Sequence, residues 1–91
     1  MGLANDSSIS DFTKSHQHWI RDGDSLVAQL EFGDFAKAME FVNRVAEKAE
    51  QADHHPDIDI RWNKVRLVLS THSAGGITQK DLDLAGQIIL A

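Results

Sequence analysis

The feature of the sequence that most constrains the fold is an apolar stripe in residues 35–49, which stops short of the chain's single proline, Pro56. Apolar side chains recur there at intervals of three and four residues, the spacing of one buried face of a helix. They are Phe35, Ala38, Met39, Val42, Val45, Ala46 and Ala49. Asp34 can cap the start of this helix by accepting from its free N–H groups. Pro56 lacks an N–H and disfavours helical backbone in the residue before it, so we predict that the helix ends near Asp53.

The residues before this helix alternate between apolar and polar side chains, which is typical of strands with one buried face. The sequence Asp-Gly-Asp at 22–24 is a turn signal between Trp19-Ile20 and the alternating run 26–32. We therefore predict an antiparallel pair of strands, preceded by a short helix over residues 7–17 and a loose terminus over residues 1–6.

The apolar residues change phase after the proline, from even positions in residues 58–62 to odd positions in residues 65–69. A hairpin with its turn at residues 63–64 explains the change, because it puts both sets on one face and pairs Trp62 with Val65. The other pairs are then Ile60 with Leu67 and Ile58 with Leu69. This hairpin predicts that Trp62 lies in the core of the sheet. A bulge in one long strand is the alternative.

The C-terminal part predicts a last helix that follows a glycine-containing loop. Thr78 and Asp81 have the spacing of a capping box, in which each side chain accepts from the backbone N–H of the other residue. The apolar residues that this helix would bury are Leu82, Ala85, Ile88 and Ile89. The order of elements predicts one α+β domain over residues 1–91, a four-stranded antiparallel sheet with two to three helices packed on one face.

Composition narrows the class of protein. The chain of 91 residues has 42% hydrophobic and 25% charged residues, which is ordinary for a folded domain. Its net charge is -5 and its basic residues are scattered, which disfavours direct binding of nucleic acid. It has no cysteine, and no apolar run reaches the ~20 residues that a membrane span needs. We expect a cytoplasmic protein that forms homodimers or homotetramers, since so short a chain buries little surface alone.

Three of the five histidines, His54, His55 and His72, lie between the two longest predicted elements of the C-terminal half. Imidazole, with an ordinary pKa of about 6.5, exchanges protons near neutral pH, so this cluster indicates proton-transfer chemistry or a metal. In the hairpin, the loop after the second strand lies beside the chain that enters the first, so we expect His72 close to the other two. Glu50 stands four residues before His54 and would face it on the last helical turn, with Asp53 beside them.

Simpler explanations stand beside this one. The histidines could be surface residues near a helix end, where the dipole favours cations. Three histidines are also a known zinc ligand set, but adjacent residues of an extended chain point to opposite sides, which disfavours shared coordination by His54 and His55. For Asp81, capping of the last helix is a sufficient role.

These residues resemble the motif of the pterin-4a-carbinolamine dehydratase family, also known as dimerisation cofactor of a homeodomain transcription factor. The match reads Glu50, three residues, His54-His55-Pro56, five residues, Trp62, nine residues, His72, eight residues, Asp81. Further stretches that look like the family are F-x-D-F-x-x-A from Phe32, S-T-H from Ser70, G-I-T from Gly76 and D-x-x-L-A from Asp81. The resemblance covers the chain from about Trp19 to its C-terminus.

The resemblance implies a hydro-lyase that dehydrates 4a-hydroxytetrahydropterin, such as 4a-hydroxytetrahydrobiopterin, to quinonoid dihydropterin in cofactor recycling, with no metal and no organic cofactor. It implies proton transfer by His54 and His72, and orientation of the substrate by His55. Glu50 or Asp53 would tune an imidazole. The implied substrate contacts are Asp53, His54, His55, Ser70, Thr71, His72 and Ser73, with Trp62 and Asp81 in support.

The alternative function is that of a non-catalytic interaction or assembly protein of the same fold, which stabilises a partner's dimer or serves another pterin such as the molybdenum cofactor precursor. The proton-transfer cluster favours catalysis over this alternative. For self-association, we expect the strand at residues 65–69 to lie at an exposed edge of the sheet and to pair with its symmetry mate.

Overall fold

The computed structural model describes residues 2–88 and has the predicted order of helices and strands. The elements are α1 (Asp6–Ser15), β1 (Trp19–Asp22), β2 (Ser25–Glu31), α2 (Phe35–Ala52), β3 (Asp57–Arg61), β4 (Lys64–Leu69) and α3 (Gln79–Gln87), with a 3-10 turn (His72–Ala74) before α3. The four strands form one antiparallel sheet, so the predicted α+β class is confirmed. Ile89, which we expected to point inward from the last helix, lies outside the described residues.

The long helix α2 begins and ends where its local chemistry requires. Asp34 Oδ1 accepts from the backbone N–H of Lys37 at 2.8 Å, which is the predicted cap. At the other end Asp53 adopts left-handed backbone, with φ 50°, and its N–H donates to the carbonyls of Ala49 and Glu50. The helix therefore stops before the proline, as predicted.

One apolar core lies between the helices and one face of the sheet. The strand residues in it are Trp19, Leu26, Ala28, Val65, Leu67 and Leu69, which the pairing register places on the same face. Helix α2 contributes Ala38, Phe41, Val42, Val45 and Ala49. Phe41 thus takes the place in the core that the stripe assigned to Phe35, which is half exposed as the first residue of α2. Within residues 2–88, no helix is long and apolar enough to cross a membrane.

Strand β4 is internal to the sheet, whose order is β1-β2-β4-β3. It pairs with β2 on one side and with β3 on the other. The expectation that residues 65–69 form an exposed edge is therefore wrong, because both rows of backbone groups on this strand already have partners. The strands with one neighbour each are β1 and β3.

The β3–β4 hairpin has its turn one residue earlier than predicted. Ile60 pairs with Val65, so Trp62 and Asn63 form the turn. Asn63 is held at the end of β2, where its side-chain amide donates to Phe32 O at 2.8 Å and its carbonyl accepts from Phe32 N at 2.8 Å. The apolar pattern could not choose between the two registers, because a shift of two residues leaves every side chain on the same face.

Trp62 is correspondingly not in the core of the sheet. Its backbone has φ 53° and 69% of the residue is exposed. The interpretation of this tryptophan as a core residue is wrong, since the turn carries it beyond the last strand pair. Trp19, at 2% exposed, is the buried indole instead.

The N-terminal segment before α1 contacts the loop before α3. Ala4 N donates to Ile77 O at 2.8 Å, Leu3 forms a bridge with Thr78, and Asn5 caps α1. Residues 3–5, part of the stretch that we expected to be loose, thus hold the backbone on which Thr78 is carried.

Candidate active site

The chain between α2 and β3 bends at the residue that ends the helix. Asp53 has left-handed backbone, and His54 N donates to Ala49 O at 3.1 Å, which ties the first histidine to the last helical turn. Pro56 follows, with its backbone torsion φ restricted by its ring. Within this bend His54 and His55 each meet a different carboxylate.

His54 contacts the third residue of α3. Its Nε2 atom lies 2.5 Å from Oδ1 of Asp81. The side chain of Asp81 is fully buried and that of His54 is 13% exposed. A carboxylate and an imidazole interact more strongly here than at the surface, because the surroundings have a lower effective dielectric constant.

The second carboxylate oxygen of Asp81 is held by two donors from the loop before α3. Oδ2 accepts from the backbone N–H of Thr78 at 2.9 Å and from the hydroxyl of Thr71 at 2.8 Å. The two threonine hydroxyls lie 2.8 Å apart, and all three residues are buried. Asp81 therefore caps α3, as its spacing from Thr78 predicted, and the same carboxylate also binds His54.

His55 has a different carboxylate and a different environment. Its Nε2 atom lies 2.5 Å from Oε2 of Glu50, and the two side chains are 57% and 77% exposed. The predicted pair of Glu50 with His54 is wrong. Helical backbone ends at Ala52, so the spacing of four residues no longer brings the side chains of Glu50 and His54 together.

The loop after β4 runs beside the two histidines. Asp57 pairs with Val68 in the last described pair of the hairpin, and His54 and Thr71 each lie three residues beyond it. Thr71 and His54 accordingly share Asp81. His72 is the next residue, at the start of the 3-10 turn.

The remaining predicted contact residues are distributed around this loop. Ser70 Oγ donates to Asp24 O at 2.9 Å, and the hydroxyl of Thr71 is engaged with Asp81. Asp53, His72 and Ser73 are exposed. Trp62 follows the far end of β3, a strand of five residues that spans roughly 16 Å. The structure therefore does not bring Trp62 to the histidines.

A cleft of 570 Å³ lies away from these histidines, and among the residues that line it are Gln29, Asp59, Lys64 and Arg66. It lies towards the turn of the hairpin, whereas His54 precedes the other end of β3. No group of three or more His, Asp or Glu side chains in residues 2–88 is arranged to hold a metal ion. We assign the candidate site to the histidines because they carry titratable groups paired with carboxylates, which the larger cleft lacks.

The family model for pterin 4 alpha carbinolamine dehydratase matches residues 3–89. The chain belongs to this family. Two relatives carry the name "Putative pterin-4-alpha-carbinolamine dehydratase". The one from Thermomicrobium roseum is 50% identical over 97% of this chain and 95% of its own length, and the one from Acidobacterium capsulatum is 53% identical over 89% and 88%. The family supports a dehydratase that acts on a pterin carbinolamine.

Two solved structures resemble the fold. A transcriptional coactivator/pterin dehydratase from Brucella melitensis has a TM-score of 0.89 and 27% identity, over 96% of this chain and 95% of that chain. A pterin dehydratase-like protein described as a RuBisCO assembly factor in the alpha-carboxysome has a TM-score of 0.66 and 22% identity, over 80% and 87%. The second shows a shared fold alone.

Sequence reasoning missed Thr78 as a part of this site and the partner of His54. The spacing of Thr78 and Asp81 was a signal for a helix cap. That signal does not reveal that a second carboxylate oxygen remains for a side chain 27 residues earlier in the chain.

Proposed function

We propose that this protein dehydrates 4a-hydroxytetrahydropterin to quinonoid dihydropterin by acid and base catalysis from its histidines. The observation that carries the proposal is the pairing of two adjacent imidazoles with two carboxylates, His54 with Asp81 and His55 with Glu50, next to the loop that holds His72. Membership of the dehydratase family supports the class of substrate.

The reaction needs two proton transfers. Hydroxide leaves C4a poorly unless an acid protonates it, and a proton on a ring nitrogen must pass to a base as the new double bond forms. His54 and His72 divide these tasks, while His55 binds and orients the pterin. Glu50 orients His55, since its carboxylate is the partner of that ring. Asp53, Ser70, Thr71 and Ser73 complete the substrate contacts around the bend and the loop.

A direct assay of carbinolamine breakdown tests this function. His54→Ala and His72→Ala should each lower kcat by about a hundredfold or more, the usual contribution of a general acid or base. His18→Ala is the matched control, because His18 is exposed and precedes β1, far along the chain from the bend. Equal rates for wild type and all three variants would refute a catalytic role for the histidines.

The alternative, a non-catalytic interaction protein of the same fold, predicts those equal rates. The surface that favours it lies at and after the edge strand β3, where Ile58 is 37% and Trp62 is 69% exposed. We propose that the chain also associates with itself into dimers or tetramers through an edge of the sheet, for which β1 and β3 are the available strands. Light scattering that gives only a 10.1 kDa species at micromolar concentration would refute self-association.

A further inference from the structure

The hydrogen bonds around Asp81 have a direction, and that direction determines which nitrogen of His54 carries a hydrogen. A backbone N–H can only donate, so Oδ2 of Asp81 is an acceptor towards Thr78. The hydroxyl of Thr71 donates to the same oxygen. Since that hydroxyl has a single hydrogen, Thr78 must be the donor in the contact between the two threonine oxygens. Each of these hydrogens points towards the carboxylate or along the chain that leads to it.

Two donors on Oδ2 stabilise a charged carboxylate, and a charged carboxylate only accepts hydrogen bonds. Oδ1 of Asp81 is left for Nε2 of His54, at 2.5 Å. Nε2 must therefore hold a hydrogen and donate it. In a neutral imidazole the other nitrogen, Nδ1, then has a free lone pair.

Nδ1 of His54 is accessible. Within residues 2–88 the ring's hydrogen bond is the one to Asp81, and Nδ1 is not among the buried side-chain nitrogens that lack a partner. The ring as a whole is 13% exposed, so its open part is small. A nitrogen that is tied to the interior on one side and reaches solvent on the other is suited to meet a substrate.

We propose that Asp81 is a positioning residue that holds His54 in the Nε2–H tautomer, so that Nδ1 is the base that takes the ring N–H proton of the pterin. This proposal rests on the proposed dehydratase function. The bond from the substrate nitrogen to its hydrogen breaks, a hydrogen forms a bond with Nδ1, and the electron pair left on the substrate forms the double bond to C4a. The C4a–oxygen bond breaks and the hydroxyl leaves as water with a proton from His72. His54 then returns its extra proton to solvent and His72 regains one.

Asp81 also stabilises the imidazolium that forms when Nδ1 accepts this proton. The positive charge lies next to a carboxylate in a site with little solvent, where the attraction is stronger than in water. His72 lies in the exposed 3-10 turn, and no carboxylate contact of its ring is described within residues 2–88. This difference assigns the base to His54 and the acid to His72.

The test is Asp81→Asn, which keeps the shape of the side chain. The amide oxygen must face the N–H of Thr78 and the hydroxyl of Thr71, so the amide NH₂ faces His54. It would donate to Nε2 and shift the hydrogen of the ring to Nδ1. We expect ¹⁵N NMR of the imidazole to show the Nε2–H tautomer in wild type and the Nδ1–H tautomer in the variant, with kcat lowered about a hundredfold or more.

The matched control is Asp83→Asn, an identical change on the same helix. Asp83 is exposed and accepts from Gln79 Nε2, so we expect an unchanged tautomer of His54 and a kcat within twofold of wild type. The ring of His54 is assigned by the signal that is lost in His54→Gln. An altered pH–rate profile in Asp81→Asn but not in Asp83→Asn would support positioning over a purely structural role.

The outcomes separate this proposal from the proposed function. An Nδ1–H tautomer in the wild-type protein would overturn the proposal outright, whether or not Asp81→Asn folds. An Nε2–H tautomer in a wild-type protein that does not dehydrate the carbinolamine would overturn the function but support the arrangement of His54. Full activity in a folded Asp81→Asn protein with an inverted tautomer would overturn the role of Nδ1.

Discussion

His54 and His55 are adjacent in the chain and each has an Nε2 atom 2.5 Å from a carboxylate oxygen, yet their surroundings differ sharply. The pair of His54 with Asp81 is nearly excluded from solvent, whereas the pair of His55 with Glu50 is mostly exposed. The same distance therefore describes two different interactions. Burial and the number of further hydrogen bonds decide what each pair contributes.

The physical difference is the cost of losing a partner. Water replaces a lost partner at the surface, so an exposed ion pair contributes about 0–1 kcal/mol. In the interior nothing replaces it, and removal of one member of a buried pair costs about 3–5 kcal/mol. Four predictions test this contrast between the two pairs.

The largest effect on stability is expected for Asp81→Ala. It leaves His54, Thr71 and the N–H of Thr78 without their acceptor, and we expect the free energy of unfolding to fall by about 3 kcal/mol. Urea denaturation measures it, with Asp83→Ala on the exposed side of the same helix as the control. A loss of less than 1 kcal/mol would mean that burial does not separate the two pairs.

The next effect is on catalysis. We expect His54→Ala to lower kcat by about a hundredfold, equivalent to about 2.7 kcal/mol of barrier. His55→Ala should mainly raise KM, because the ring of His55 orients the substrate. Steady-state kinetics of the two variants check this. A loss of kcat that is larger for His55→Ala would reverse the assignment of roles.

A smaller effect is expected for Thr71→Val, which removes one of the two donors on Asp81 Oδ2. The free energy of unfolding should fall by about 1 kcal/mol, since one buried hydrogen bond is lost and the volume is kept. Thr13→Val removes an exposed hydroxyl bond to Ser10 O in α1 and is the matched control. Equal losses for both would indicate that the network around Asp81 is not cooperative.

The smallest effect is expected for Glu50→Gln. It removes the charge partner of His55, and we expect a change in the free energy of unfolding of less than about 0.5 kcal/mol, because both side chains are largely solvated. Added salt should reduce even this difference, by screening. Denaturation of wild type and variant at two ionic strengths measures it, and a salt-independent loss above 1 kcal/mol would contradict the contrast.

Much of the fold could be predicted from local patterns. Helix α2 has a capping residue, a helical stripe and a proline that stops it, and all three act within a few residues of the chain. The turn of the β3–β4 hairpin could not be predicted, because its position depends on Asn63 contacting Phe32, 31 residues away. The exposed position of Trp62 follows from the same contact.

The candidate site was predictable as a set of residues but not as a set of contacts. The spacing of His54, His55 and His72 indicated proton transfer, and the motif added Glu50 and Asp81. Which carboxylate binds which ring was mispredicted for Glu50, since the pairing depends on the left-handed backbone at Asp53. Local spacing carries no information about such a bend.

The sequence by itself determined the types of element, their order and the family, because periodicity, capping and motif spacing are properties of short stretches of chain. Only the tertiary structure decided that β4 is internal, that Trp62 is exposed and that Asp81 joins His54 to Thr71 and Thr78. These features depend on residues far apart in the chain that meet only when the sheet and helices pack, and the buried hydrogen bonds formed there distinguish one histidine from its neighbour.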